Sequence, residues 1–379
     1  MEKLLEKMVE GKINNKNIVG VRYNSRVLWS NYYVEYTISP SIANPSEPLN
    51  TIDIFDDSKY SYLPEIDNYE LDSPLYYEDI RIILKDGSEV NDITTPVNSI
   101  EKIIIFYNTN TYKISFNKSR IKNLLKINTS NLTSMSQMFR SCVYLENFNI
   151  SNFDTSKVTN MYCMFRECTS LKSIDLSNWK VGKVTDMIGL FYDCSSLTSL
   201  DLSNFGTAYK LTTIRDMFRG CTSLASLKLS GFYPNNVTDM SSVFYDCTSL
   251  TSLSLSGWWA YDVTTMNSMF YNCTSLKSVS FAYSIDTSNV TSMSYMFQHC
   301  KSLTSLDLSN FNTSKVTGMD MMFYNCKSLT SLDVSNFNTS KATGKYMFKY
   351  IPSSCKIYVS DEFTLTESQT NFSGTFTEK

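Results

Sequence analysis

The sequence predicts an α/β solenoid: stacked strand–turn–helix–turn units with a parallel β-sheet on one face and short helices on the other, preceded by a small β-rich N-terminal domain. Three observations carry this expectation. Cys142, Cys168, Cys194, Cys221, Cys247, Cys273, Cys300 and Cys326 follow one another at intervals of 26 or 27 residues. The same apolar phrase surrounds each of them, and a period of this size marks a stacked array. Each copy also mixes a period of two with a helical period, and one such unit cannot bury its apolar face alone.

In chain order, residues 1–99 read as the β-rich domain. LLEKMV suggests a short helix, while IVGVRY, RVLWS and YYVEYTI read as strands with a turn at Asn24-Ser25. Residues 51–80 form an acidic segment with nine carboxylates against one lysine, interleaved with tyrosines. Residues 100–120 are a strand-rich cap or bridge, in which IEKIIIFYNTNTYKISFN (100–117) supplies two strands. The solenoid spans 121–355 in about 8–9 units. Its first copy, IKNLLKINTSNLTSM (121–135), keeps only the back half of a unit, as terminal repeats do. Residues 356–379 give a C-terminal cap strand, KIYVS, and a polar tail expected to fray.

Within a unit, a Met/Leu/Val-Phe pair precedes the cysteine, and Cys-x-x-Leu-x-x-Leu-x-Leu follows it, as in Leu303, Leu306 and Leu308. An aromatic comes three residues later, among them Phe153, Trp179, Phe205 and Trp258. The alternating Leu-x-Leu reads as a strand with one buried face. In VTDMSSVF (237–244), Val237, Met240, Val243 and Phe244 fall on one face of a short helix, with Thr238 as a cap.

The phrase MFxxCxSLTSLDLSNFxTSKVTxM resembles the BspA-like bacterial surface leucine-rich repeat, over about three fifths of the chain. The resemblance implies a horseshoe solenoid used for adhesion or binding, in proteins that are mostly secreted or lipid-anchored. The opening MEKLLEKMVEGKINN scatters charges through its apolar residues and lacks the apolar centre of a signal peptide. The expected location is the extracellular surface or a virion, by an export route the sequence leaves open.

Composition narrows the function. The chain has 379 residues, 42% of them apolar, which allows two or three domains and excludes global disorder. Lys plus Arg is 34 and Asp plus Glu 37, a net charge of −3, so nucleic acid is not the expected partner. No apolar run is long enough to span a membrane. The single histidine, His299, excludes histidine-rich zinc sites and Ser-His-Asp triads drawn from several loops. No cofactor or metal is expected.

The cysteines could mean disulfides, zinc or buried thiols. Equivalent residues on adjacent rungs lie ~4.8 Å apart with parallel side chains. A disulfide needs closer Cβ atoms turned towards each other, so a structural ladder of free thiols is expected. Cys163, off the ladder, reads as packing too. The candidate binding face has two parts. Asp175, Asp201, Lys228, Asp307 and Asp333, with serines around them, alternate with the buried leucines and face a concave polar surface. It is either a solvated strand face or a shallow site for a glycan or protein; the pairs Asp175/Asp201 and Asp307/Asp333 are also compatible with Ca²⁺ or carboxylate chemistry. Tyr192, Tyr245, Tyr271 and Tyr324 follow the buried phenylalanines and point outwards, and Trp259 with Tyr261 either offers a surface for a sugar ring or a protein anchor or lies flat on its own turn. His299 reads as a turn residue. The acidic segment lacks a Ca²⁺-loop spacing and reads as a solvated loop.

The best reading is a non-enzymatic surface interaction or adhesion protein, binding a protein or glycan of a host or neighbouring cell. The alternative is a phage tail or fibre protein whose N-terminal domain docks on the particle and whose repeats face the host. An oligomer through the N-terminal domain stays open. An enzyme would need a catalytic group outside the repeat, and none has a base beside it.

Overall fold

The computed structural model describes residues 129–148, 150–258, 261–281 and 285–379, Ile127 and, upstream, the backbone of strands between Lys12 and Ile127. The LLEKMV segment, residues 51–76 of the acidic stretch, the KISFN strand and Trp259 lie outside the described residues. Gly20–Tyr23 and Arg26–Ser30 form an antiparallel pair. A seven-stranded sheet then places Tyr33–Ile38 between Ile100–Tyr107 and Ile121–Ile127, both antiparallel to it. Ile121–Ile127 pairs in parallel with Asn147–Phe148, which pairs with Ser173–Ile174, so this sheet runs directly into the first rungs of the repeat.

The repeat itself is a parallel β-solenoid. Short strands Ser199–Asp201 and Ser226–Lys228, Ser252–Ser254 and Ser278–Ser280, and Ser331–Asp333 and Lys356–Val359 pair in register from copy to copy. On another side of each rung, parallel bridges link nine successive positions from Ser134 to Thr343. The alternation read from Leu-x-Leu holds: Leu200 is buried between exposed Ser199 and Asp201.

The helix expected in each unit is absent. Among the described residues the one helix is Glu367–Thr370, in the C-terminal cap. VTDMSSVF and its equivalents form two successive tight turns. An α-helix sends every N–H to the carbonyl four residues back. Here the amides of Met240, Ser242, Phe244 and Asp246 donate to Thr265, Asn267, Met269 and Tyr271 of the next rung, at 2.9–3.1 Å. Between them Tyr245 and Cys247 close turns onto Ser242 and Phe244. The backbone reverses through two left-handed residues four apart, Ser242 (φ 56) and Asp246 (φ 59). The same pair recurs as Gln137/Ser141, Gly189/Asp193, Ser268/Asn272 and Met321/Asn325. Asp, Asn and Gly tolerate this region best, and at four of these five pairs one of them fills the second place or both.

Packing follows the columns. Phe139, Phe165, Phe191, Phe218, Phe244, Phe270, Phe297, Phe323 and Phe348 stack face to face, with centroids 5.2–6.0 Å apart. Leu, Met, Val and Cys columns close around them. All ten cysteines are buried and free. Each ladder thiol from Cys168 to Cys326 donates to the phenylalanine carbonyl of the preceding rung, as Cys247 does to Phe218 at 3.2 Å. Sulfur thus fills a small apolar site and still finds an acceptor. Burial pushes these thiols well above their ordinary range.

A second device is buried threonine. Thr155 Oγ1 donates to the Lys180 carbonyl at 3.1 Å and accepts from the Lys180 amide at 2.7 Å. Thr287 and Thr313 make the same two-way bridge to Asn312 and Asn338. Where this column lacks threonine, as at Ala208, backbone strands Gly206–Thr207 and Phe232–Tyr233 pair instead.

The C-terminal tail is folded, contrary to the frayed end expected. Thr366 and Gln369 form a capping box, and Asn371 (φ 57) ends the helix. Phe376–Glu378 then pairs in parallel with Lys356–Val359. Leu365 and Phe372 bury themselves against the last rung, and apolar burial outweighs the polar composition around them.

Candidate binding surface

The strand face bears the predicted polar stripe. Asp175, Asp201 and Asp307 are exposed and Asp333 is partly so. Each turns one carboxylate oxygen onto the backbone N–H two residues on, Asp175 to Ser177, Asp201 to Ser203, Asp307 to Ser309 and Asp333 to Ser335, at 2.9–3.0 Å. These are Asx turns that end the strands. The same bonds help to hold the carboxyls low; the Ser203 contacts first, then Lys228, bring Asp201 to about 2. Lys228 sits beside Asp201, with Nζ 3.0 Å from Oδ2, and Lys379 bridges to Asp333. The aspartates are thus committed to turns and lysines. Among the described residues no three His, Cys, Asp or Glu side chains gather as a metal site would need.

The double-turn edge carries the second candidate. Tyr192, Tyr245, Tyr271 and Tyr324 are half-buried. They share a column with Arg166 and Arg219, and His299 and Tyr350, one position further along their rungs, continue the line of contacts. The Arg166 guanidinium lies 4.2 Å from the Tyr192 ring, and Arg219 lies 5.4 Å from Tyr192 and 4.2 Å from Tyr245. Tyr245 stacks on Tyr271 at 4.3 Å. His299 stands edge-on between Tyr271 and Tyr324, at 5.6 and 5.4 Å, and Tyr324 meets Tyr350 at 5.1 Å. The contacts run unbroken from Arg166 to Tyr350. Burial and the Tyr271 ring push the Tyr245 phenol up to about 12.

A polar row runs alongside. Ser141 donates to Glu167, which also pairs with Arg166 at 2.9 Å. The Asp193 carboxylate lies over Gly220, where a Cβ would meet Oδ1 at 1.8 Å. Asn272 bonds Asp246, and Asn325 bonds His299 Nδ1, both at 2.7 Å. Burial, then Lys301 and Lys327, lower the His299 pKa. Tyr261 is exposed at the loop edge, where its carbonyl accepts from Asn289.

The tyrosines were expected to point outwards, and they are half-buried. The structure joins them into one stripe with their flanks occupied, so phenol, guanidinium and amide groups are what it offers to solvent. The sequence reading missed Arg166, Arg219 and Tyr350. Aligning the residue after each buried phenylalanine gives Arg140, Arg166, Tyr192, Arg219, Tyr245, Tyr271, Gln298, Tyr324 and Lys349, which brings in Arg166 and Arg219; Tyr350, like His299, stands one position later.

A family profile described as "Mycoplasma protein of unknown function, DUF285" matches residues 106–226, 201–285 and 279–360, well over half of the sequence. The chain belongs to the DUF285 family. The matched segments of this DUF285 chain coincide with the repeat. A comparison with curated proteins finds no match. Similar solved structures include TLR13 in its complex with ssRNA13, at 16% identity and a TM-score of 0.29, over 65% of this chain and 41% of that one. A leucine-rich repeat protein from Eubacterium ventriosum is similar at 15% identity and a TM-score of 0.31, over 68% of this chain and 82% of that one. The DUF285 chain thus spans less than half the length of TLR13. Among the described residues no helix is long and apolar enough to cross a membrane.

Proposed function

We propose that this DUF285 chain is a non-enzymatic interaction protein that attaches a cell surface to a protein or glycan partner, in the manner its BspA-like repeat phrase implies. The observation that carries the reading is the unbroken stripe from Arg166 to Tyr350. It presents an aromatic or cationic group at every rung, ~4.8 Å apart, and so suits a linear partner lying along the rod. The strand-face aspartates are held by Asx turns and lysines, which favours recognition over acid–base chemistry. Residues 1–99 serve as the anchoring part and the solenoid as the binding part.

The test is attachment of the full chain to host cells and to a glycan array. The variant Arg166→Gln/Arg219→Gln is expected to lose at least about tenfold in binding, since arginine is enriched among residues that dominate interfaces. Lys157→Gln/Lys183→Gln, on the loop after the aromatic column, serves as the charge-matched control and keeps its binding. Equal binding by the arginine variant and the wild type would sink the proposal.

A further inference from the structure

The last three rungs depart from the rest of the stripe. On their double-turn edge stand His299, Lys301, Lys327, Lys345 and Lys349, against one carboxylate, Asp320. The whole chain is net acidic, so this concentration of cations is local. The groups are close together. Lys301 and Lys327 both act on the His299 ring. Lys345 and Lys349 lie 5.1 and 4.6 Å from the Tyr346 ring, and Lys349 lies 5.0 Å from Tyr350. Lys301, Lys327, Lys345 and Tyr350 are exposed. Lys301 and Lys327 hold equivalent places on adjacent rungs and repeat a positive charge along the axis at the ~4.8 Å rung spacing.

We propose that this patch binds an anionic polysaccharide, sulfated or uronate-bearing, laid along the rod. The proposal rests on the interaction reading above and names its ligand class. Lysine ammonium groups supply point charges for sulfate or carboxylate. The exposed Tyr350 hydroxyl supplies a hydrogen bond for the sugar hydroxyls between them. Three other anionic partners fit less well. Single-stranded nucleic acid needs open aromatic faces on which bases stack; here Tyr346 lies between two lysines, and Tyr324 between His299 and Tyr350. A lipid surface calls for an amphipathic helix with an apolar face; the one helix among the described residues, Glu367–Thr370, packs against Tyr346 and Phe348 and is a single polar turn. A protein interface calls for a desolvated apolar anchor at its centre, and the centre here is charged.

The experiment titrates the full chain with a heparin oligosaccharide, with polygalacturonate, with poly-uridylate and with phosphatidylglycerol vesicles. At least one of the two polysaccharides is expected to bind, weakening at least about tenfold as salt rises from about 0.05 to 0.3 M. Lys301→Gln/Lys327→Gln/Lys349→Gln should lose about tenfold or more with unchanged melting, while Lys157→Gln/Lys183→Gln/Lys341→Gln keeps its affinity. The single histidine gives a direct second readout: bound anion beside Lys301 and Lys327 should raise the His299 pKa measured by NMR. The inference is overturned if neither polysaccharide binds, if the patch variant binds as the wild type does, or if poly-uridylate or vesicles bind more tightly. Cell attachment that survives in the patch variant while polysaccharide binding is absent would remove this inference alone. Attachment insensitive to Arg166 and Arg219, with lysine-dependent polysaccharide binding intact, would remove the stripe reading alone.

Discussion

Replacing Thr155 by Val tests whether buried threonine side chains stand in for backbone pairing. The Thr155 side chain is buried, and its hydroxyl both donates to and accepts from Lys180 on the next rung. Valine keeps the shape and removes both bonds. Two hydrogen bonds at about 1 kcal/mol each are lost, and the extra buried methyl returns about 0.8 kcal/mol. The net loss is about 1 kcal/mol. Thr155→Ser keeps the hydroxyl and loses a buried methyl, which costs about the same. Global stability therefore does not separate the two variants, and a repeat array need not unfold in one step. Amide hydrogen exchange does separate them. In Thr155→Val the Lys180 amide has lost its acceptor and should exchange about fivefold faster or more, since about 1.4 kcal/mol is a factor of ten. In Thr155→Ser it should stay as protected as its neighbours. A Lys180 amide that behaves alike in both variants would refute the reasoning.

The ten buried thiols should resist a disulfide-exchange reagent at neutral pH until denaturant is added, then all react; fast labelling of the native chain would contradict their burial. His299 has its pKa lowered in the folded chain, so the unfolded chain binds the extra proton first. Its contribution is full above the unfolded value of about 6.5 and is lost as pH falls through the lower folded value. Between about pH 7.5 and 5.5, melting should therefore fall more in the wild type than in His299→Asn, and equal slopes would count against this. Gly231→Ala should cost about 3 kcal/mol or more, because the new Cβ would sit 1.7 Å from the Ser203 carbonyl oxygen. Gly206→Ala has open space and only the strain of φ 66, so about 1–2 kcal/mol is expected, and denaturant titration of the pair should show that order.

Period, columns and burial were legible in the sequence because stacking forces each buried position to repeat its chemistry. Leu200, Phe218 and Cys247 sit where the repeated phrase puts them. The double turn was not read, because apolar residues at Val237, Met240, Val243 and Phe244 suit one face of a helix as well as two tight turns. The distinguishing sign was Ser242 and Asp246, four apart and tolerant of positive φ, with Gly189/Asp193 and Ser268/Asn272 equivalent to them. The cap strand was legible, but the fold of the tail after it was hidden by its polar residues, although Thr366-x-x-Gln369 and the two phenylalanines Phe372 and Phe376 spelled it out. The stripe was half visible: the tyrosines stand out by type, whereas Arg166 and Arg219 become part of it only when rungs are superposed.

The double turn also sets how this rod meets force. Its four inter-rung amide bonds per rung point along the axis. Axial tension is carried by all rungs in series, and a rung that gives way pays out its own copy of the chain. Each release frees one 26- or 27-residue copy, roughly 90 Å of slack at ~3.5 Å per residue. A solenoid of this kind lengthens in equal steps under tension and can rewind afterwards, copy by copy.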